Sequence, residues 1–257
     1  MQTGLFVFLL VIYGLTIGSF LNVVALRLPA GESIVYPPSR CPRCHTRLRS
    51  ADLVPIFSWL FLRSKCRYCQ ASIHWQYPVV EAVTGILWGM VGWRYGWSGE
   101  TVFGLVFVSF LVVLSVIDLH ELILPDVLTY PLLGVALIAR AFTGGHAWWN
   151  YLAGGALGAG ILLLLAWLSP YLFGKEGMGL GDVKLMAGIG MAVGLAGSLV
   201  TLFIASFSGL LAGLFLRWTN QLREGGHLPF GPFLSLGAVI AYLWGDPLVQ
   251  WYANLFV

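Results

Sequence analysis

The run TVFGLVFVSFLVVLSVIDL, residues 101–119, is apolar throughout most of its length and contains a single charged side chain, Asp118. About 20 apolar residues in a helix cross a ~30 Å hydrocarbon core. Backbone polar groups in lipid must be satisfied within the segment, so a run of this kind forms a helix. The sequence therefore predicts a membrane-spanning helix that carries a carboxylate near one end. Charges at that depth are costly, which makes Asp118 a candidate functional residue.

The whole chain has the composition of a polytopic membrane protein. Of its 257 residues, 58% are hydrophobic and 10% are charged, and the mean hydropathy is +0.84. The first apolar run lacks a basic start and a small-residue cleavage site, so we interpret it as a retained helix. We predict an all-α fold with about eight transmembrane helices. They lie near residues 4–26, 77–95, 101–119, 127–142, 148–170, 183–197, 199–217 and 232–252.

The distribution of cations predicts the orientation of these helices. Residues 27–75 contain eight of the 14 Lys and Arg residues, so the positive-inside rule makes this loop cytoplasmic and the N-terminus extracytoplasmic. Following eight spans from there brings residues 118–126 and 174–182 to the cytoplasmic side. The net charge of +3 does not predict nucleic-acid binding. The basic loop contacts anionic lipid head groups or sets the topology.

The same loop contains every cysteine, arranged as Cys41-Pro-Arg-Cys44 and Cys66-Arg-Tyr-Cys69. Two such pairs supply four thiolates, which suit tetrahedral Zn²⁺. Four thiolates leave no open coordination position, so the predicted zinc is structural and stabilises a zinc-ribbon-like domain between the first two membrane helices. Disulfides are the alternative, but a cytoplasmic loop is kept reduced.

A second carboxylate follows a glycine-rich break between two apolar runs. The stretch GKEGMGLGD, residues 174–182, ends in Asp182. In a two-acid site, an ionised carboxylate activates water while a protonated one donates to the substrate carbonyl. Asp182 also fits a helix N-cap, and Asp126, which resembles a helix start, rivals Asp118 as the second acid. The glycines of this break allow close backbone approach and unusual conformations: Gly177, Gly179 and Gly181.

Several motifs occur along the chain in an order typical of one known family. They are GSFLNVVALRLP (18–29), DLVPIFSWL (52–60), YPVVEAVTG (77–85), IDLHELILPDVLTYPLL (117–133), GMGLGDVKLMAGIG (177–190) and LPFGPFLSLGA (228–238), together with the paired cysteines. The chain resembles the type IV prepilin peptidases, which are the bifunctional leader peptidases and N-methyltransferases of type IV pilus and type II secretion systems. The resemblance extends almost from end to end.

This resemblance implies an activity, a substrate and a location. Asp118 and Asp182 are then the catalytic pair of an intramembrane aspartic protease. Family members cleave the basic leader of prepilins or pseudopilins, after a glycine, at the cytoplasmic face of the bacterial inner membrane. These substrates and membrane lipid are the expected partners. The implied organisation is a first helix (1–26), a cytoplasmic cysteine domain (27–76) and a peptidase domain (77–257).

Methyl transfer to the new N-terminus is the second implied activity, with S-adenosylmethionine as donor. The chain has no G-x-G-x-x-G motif after a strand, so a dinucleotide-type methyl-donor pocket is not predicted. The family's Gly-Lys pair before the third cysteine is Ser64-Lys65 here, and the serine departs from the pattern. Lys65 and Glu81 are the candidate methyl-transfer residues. Glu81 fits a buried polar tie to Arg27 or Asn22 equally well.

Three other functions remain as alternatives. A transporter with a zinc ribbon would also place acids in membrane helices, but it would scatter them along a pathway. A membrane scaffold acting through the cysteine loop would need no acid pair. A peptidase without methyl transfer would fit the serine at position 64.

Overall fold

A computed structural model describes residues 2–173, 179–219 and 228–255 of the chain. These residues form helices and contain two isolated β-bridges but no longer strand, so the all-α prediction is confirmed for them. A short 3₁₀ turn, Ser50–Asp52, precedes the second α-helix. The α-helices of the described residues are α1 (Gln2–Arg27), α2 (Phe57–Phe61), α3 (Gln76–Tyr95), α4 (Gly99–Glu121), α5 (Asp126–Thr143), α6 (Trp148–Phe173), α7 (Leu180–Trp218) and α8 (Gly231–Ala253).

Each predicted span lies within one of the long helices. Six helices of the described ranges are long and apolar enough to cross a membrane, which makes the chain a multi-pass membrane protein. Helix α3 is not among these six, and two of the predicted spans lie in α7, so the count of eight stays a prediction. The six are Thr3–Arg27, Gly99–Glu121, Asp126–Thr143, Trp148–Tyr171, Leu180–Trp218 and Gly231–Ala253.

A break at Gly194 divides α7 into two helical parts. Its backbone angles, φ 75° and ψ −175°, are accessible to glycine but strained for residues with a side chain. The predicted boundary between two spans lay near residue 198, so the structure moves it toward the N-terminus. At 1.5 Å per residue, residues 180–193 form a segment of about 21 Å and residues 195–218 one of about 36 Å. Only the second is long enough to cross a ~30 Å core alone.

Side chains from α5 and α6 bind the backbone groups that this break frees. The Leu195 N–H donates to Asn150 Oδ1 at 2.9 Å, and Arg140 Nε donates to the Ala192 carbonyl at 2.7 Å. Unsatisfied backbone groups are not tolerated in hydrocarbon. Asn150 and Arg140 therefore stabilise the break, and with it the direction of the first part of α7, which carries Asp182.

The chain divides into two compact units, Met1–Val116 and Ile117–Val257, with the boundary inside α4. In the first unit α1 packs against α3. A Cβ built on Gly18 of α1 would lie 2.7 Å from the Glu81 Cα, so the two backbones approach as small residues allow. In the second unit α7 packs against α5, α6 and α8. The predicted three-part division rests on membrane topology and stays a prediction.

Candidate active site and metal centre

Asp118 lies in the last turn of α4 and is 5% exposed. Its Oδ2 accepts a hydrogen bond of 2.8 Å from the N–H of Gly231, the first residue of α8. A Cβ at position 231 would lie 2.8 Å from Oδ2 and 3.2 Å from Cγ, so only glycine leaves this carboxylate where it is. The first N–H groups of a helix have no partner within the helix. The N–H of Gly231 is therefore available to donate a hydrogen bond to Asp118.

Asp182 is the third residue of α7, whose N-cap is Gly179. The Asp182 N–H donates to the Gly179 carbonyl at 3.2 Å, at the start of the helix. The alternative interpretation of Asp182 as a helix-start residue is thus partly correct, at the third position instead of the N-cap. The charge of Asp118 also acts on the Asp182 carboxylate. The structure therefore brings the two predicted acids into one site.

The glycines before Asp182 differ in what they contribute. Gly179 has φ −79° and ψ 148°, which any residue can adopt. Gly181 lies inside α7, where a Cβ would be 2.9 Å from the Leu124 Cβ, so its role is close packing against the loop before α5. Gly177 lies outside the described residues. The predicted close approach is therefore observed at Gly181, and the predicted unusual conformation is not observed at Gly179.

Asp126, the rival acid, has a structural partner of its own. It is the first residue of α5, as its helix-start pattern predicted. Lys184 Nζ donates to its Oδ1 at 2.6 Å, and the two side chains are 33% and 53% exposed respectively. Lys184 also lies 5.3 Å above the ring of Tyr130. The ion pair connects the start of α5 to the first turn of α7, next to Asp182.

The four cysteines lie together in the first unit. The Cys41 and Cys69 sulfurs are 3.8 Å apart, and every cysteine is a free thiol. A tetrahedral Zn²⁺ with ~2.3 Å bonds separates its sulfur ligands by about 3.8 Å, so the cluster fits this metal. Hydrogen bonds from the Thr46 hydroxyl and then from its N–H lower the pKa of the Cys44 thiol to about 6, which favours the ligating thiolate. All four ligand atoms lie within 4.8 Å of one another: Cys41, Cys44, Cys66 and Cys69.

Both cysteine pairs have the same backbone geometry. The His45 N–H donates to the Cys41 carbonyl at 2.9 Å, and the Gln70 N–H donates to the Cys66 carbonyl at 3.0 Å. His45 has φ 55° and Gln70 has φ 57°. Each turn brings its two cysteine sulfurs close together, as binding to a shared metal ion requires. His45 completes the turn of the first pair, and it is not part of the cluster.

Asp52 connects the second cysteine pair to the 3₁₀ turn, a role the sequence did not indicate. Its carboxylate accepts from Arg67 Nε at 2.7 Å and from the Tyr68 hydroxyl and the Arg49 N–H at 3.0 Å each. Burial alone would raise the pKa of Asp52, but these donors outweigh it and hold the pKa below its ordinary value.

Glu81 is buried and bonded within the first unit. Its Oε2 accepts from the Ile56 N–H at 2.7 Å, and its Cα lies against Gly18 of α1. Arg27 and Asn22, the two partners predicted for a polar tie, donate to backbone carbonyls. Glu81 therefore connects the segment before α2 to α3 and α1.

Ser64 stands where the resembling family has glycine, and its φ of 59° lies in the left-handed region. Glycine adopts this region without strain, whereas other residues do so at a cost. Lys65 follows it and is exposed. The departure from the family pattern therefore falls on a backbone conformation that glycine would suit better.

Two family profiles match the chain. The profile described as Bacterial Peptidase A24 N-terminal domain matches residues 12–95, and the Type IV leader peptidase family matches residues 105–214. The first match includes all four cysteines, and the second includes Asp118 and Asp182. No solved structure matches the chain.

Curated relatives resemble the chain over nearly its whole length. The prepilin leader peptidase/N-methyltransferase of Stutzerimonas stutzeri is 35% identical over 96% of this chain and 93% of its own length. The protein of the same name from Bacillus subtilis is 35% identical over 96% of this chain and 98% of its own length. The one from Xanthomonas campestris is 37% identical over 93% and 91%.

Proposed function

The chain belongs to the type IV leader peptidase family, and we propose that it cleaves the leaders of prepilins or pseudopilins with Asp118 and Asp182 as its catalytic pair. The observation that carries this assignment is the pairing of the two acids across 64 residues of sequence, since the charge of Asp118 acts on Asp182. Asp126, the competing acid, is bound by Lys184. The Gly231 N–H holds the Asp118 carboxylate at 2.8 Å.

The two carboxylates share the work of peptide hydrolysis. The ionised member takes a proton from water, whose oxygen attacks the carbonyl carbon of the scissile bond. The protonated member donates its proton to the carbonyl oxygen. Collapse of the tetrahedral intermediate then returns a proton to the leaving amine. The dyad titrates as one unit, so neither role belongs to one aspartate alone.

Methylation of the new N-terminal amine is the second activity in the names of the relatives. S-adenosylmethionine supplies the methyl group, and Lys65 is the exposed candidate for this step. Glu81 acts in it by holding the segment before α2, through the Ile56 N–H. A Zn²⁺ ion bound by the four cysteines stabilises a zinc-ribbon-like fold of this region and takes no part in the chemistry.

The site lies at the cytoplasmic face of the bacterial inner membrane, and the N-terminus is extracytoplasmic. The positive-inside rule supports this orientation, because residues 27–75 carry eight of the 14 Lys and Arg residues. A basic leader on the cytoplasmic side, followed by an apolar helix in the membrane, would reach acids placed at this edge. Eight spans also bring both acid-bearing segments to that side.

The test follows a purified prepilin by mass spectrometry with wild-type, Asp118→Asn and Asp182→Asn protein, with and without S-adenosylmethionine. We expect the wild type to cut after the leader glycine and each substitution to abolish the cut. Asp126→Asn is the matched control, and it should retain cleavage.

The same experiment separates the alternatives. A methyl mass shift on the cut product establishes the second activity despite Ser64, and its absence leaves a peptidase alone. An intact substrate with folded wild-type protein would contradict the peptidase. If the protein then carries an ion flux that disappears when both aspartates are replaced, a transporter is favoured. If the role of the protein in the cell survives replacement of both aspartates, a scaffold is favoured.

A further inference from the structure

Helix α2 exposes an apolar face. Phe57, Leu60 and Phe61 are 55%, 57% and 83% exposed, and their spacing places them on one side of the helix. Leu53 and Val54, just before α2, are exposed as well. Removing such side chains from water is favourable. A cluster of this kind left open to water marks an interaction surface.

The opposite side of α2 is attached to its own unit. Trp59 Nε1 donates to the Ile73 carbonyl at 3.2 Å, and Ser58 and Trp59 are partly covered. The Ile56 N–H, immediately before the helix, bonds to Glu81. The orientation of α2 is therefore set within the unit, and its apolar face points outward. This is the reverse of the pattern of a helix on a water-soluble domain.

The bond to Glu81 also sets the depth of α2. Glu81 lies beside Gly18, which is nine residues before the end of the membrane-spanning helix α1 at Arg27. At 1.5 Å per residue, this level is about 13 Å inside the end of α1. A helix of 25 residues is about 38 Å long, against a ~30 Å hydrocarbon core. Glu81 and the start of α2 bonded to it thus lie about 6–10 Å inside the hydrocarbon boundary, a depth typical of the apolar face of an interfacial helix.

The charges around α2 suit an anionic membrane surface. Arg63 and Lys65 follow the helix directly, and both are exposed. Residues 28–75 contain seven Lys and Arg against two acids, a balance of +5. One of these acids, Asp52, is neutralised by Arg67. Basic residues beside an apolar surface helix bind anionic head groups.

We propose that α2 is an interfacial membrane anchor of the cysteine domain. Phe57, Leu60 and Phe61 contact phospholipid acyl chains, while Arg63 and Lys65 contact anionic head groups. Glu81 sets the height of the anchor through the Ile56 N–H. This inference does not depend on the peptidase assignment, because it concerns only how the first unit meets lipid.

Photo-crosslinking tests the occupant of this surface. The full chain, with p-benzoylphenylalanine in place of Phe61, is reconstituted into nanodiscs of phosphatidylethanolamine and phosphatidylglycerol and irradiated. We expect adducts with the mass of a phospholipid, at a yield about tenfold above that of the same probe at Arg43, because Arg43 is exposed in the turn between Cys41 and Cys44 and has no part in the apolar face of α2.

A second probe at Phe57 guards against a local effect at position 61 and should give the same phospholipid adducts. Adducts of either probe with another part of the chain would overturn the proposal. A phospholipid yield no higher than at Arg43 would overturn it too. Because the probe is an aromatic residue that replaces an exposed aromatic residue, the fold is preserved, and thermal melting of each variant checks this.

Discussion

Replacing Gly231 by alanine should slow peptide cleavage without unfolding the protein. The new Cβ would lie 2.8 Å from Asp118 Oδ2, whereas ordinary contacts begin at 3.4 Å, so the carboxylate must move by about half an ångström. The move also weakens the 2.8 Å hydrogen bond from the Gly231 N–H. Hydrogen bonds to charged groups contribute about 1.5–3 kcal/mol. At about 1.4 kcal/mol per tenfold, kcat should fall roughly 10- to 150-fold.

The cost in stability should not exceed the same ~1.5–3 kcal/mol, because the atom that must yield is the end of a side chain and not backbone. Gly245→Ala is the matched control. It makes the same substitution in the same helix, at a position where a Cβ meets nothing within 4 Å. Alanine is favoured over glycine in a helix by up to ~1 kcal/mol, so this variant should keep its activity and melt no earlier.

The assay measures initial rates of prepilin cleavage by mass spectrometry over a range of substrate concentrations, beside thermal melting of each variant. A lower kcat with little change in KM is expected, because position 231 contacts the acid and not the leader. If Gly231→Ala cleaves at the rate of Gly245→Ala, the start of α8 does not position Asp118 for catalysis. If the rate falls only as far as the folded fraction falls, the substitution acts on stability alone, and Gly231 does not position Asp118 for catalysis.

Three further changes test other parts of the structure. Asp126→Lys and Lys184→Asp should each lower the rate of cleavage a few-fold, since a partly exposed ion pair contributes about 0.2–1 kcal/mol. The double variant restores the pair with its charges exchanged, so it should recover part of the loss. No recovery would mean that Asp126 does not act through Lys184. Ser64→Gly should raise the melting temperature, because the left-handed φ of Ser64 costs about 1 kcal/mol and glycine adopts this φ without strain. An unchanged or lower melting temperature would show that Ser64 is not strained. Cys66→Ser should lose bound zinc, measured by atomic emission, and expose residues 27–75 to trypsin; full zinc content would argue against a four-thiolate site.

The ends of the helices were largely predictable because they follow from solvation alone. Apolar runs of the required length start and stop at charged residues, prolines and glycines, and α5 begins at Asp126 as its Leu-Pro-Asp pattern indicated. The break in α7 was placed near residue 198 and lies at Gly194. This stretch is rich in glycine, and which glycine leaves the helix depends on side chains of other helices. Here Asn150 stabilises the break at Gly194 by accepting from the Leu195 N–H. The residues around Gly194 do not indicate this contact with another helix.

The two candidate acids could be identified from the sequence, whereas the groups that contact them could not. A carboxylate within an apolar run is easily recognised in a sequence, because placing a charge at that depth is costly and therefore rare. The donor to Asp118 is a backbone N–H that lies 113 residues further along the chain. Any non-proline residue has such a group, so sequence alone cannot identify Gly231 as the partner. Lys184 was visible as a charge two residues after Asp182, but its bond to Asp126 appears only when α5 and α7 pack together.

Both aspartates lie at the N-terminus of a helix. Asp118 accepts a hydrogen bond from the first N–H of α8, and Asp182 is the third residue of α7. A helix N-terminus has unpaired donors and a partial positive charge, so it stabilises an anion without placing a cation in the membrane. A lysine or arginine in that position would form a salt bridge with the acid and compete with the substrate carbonyl for it. The Gly231 N–H bonds to Oδ2 of Asp118, which leaves Oδ1 for the exchange of protons with water and peptide that we propose.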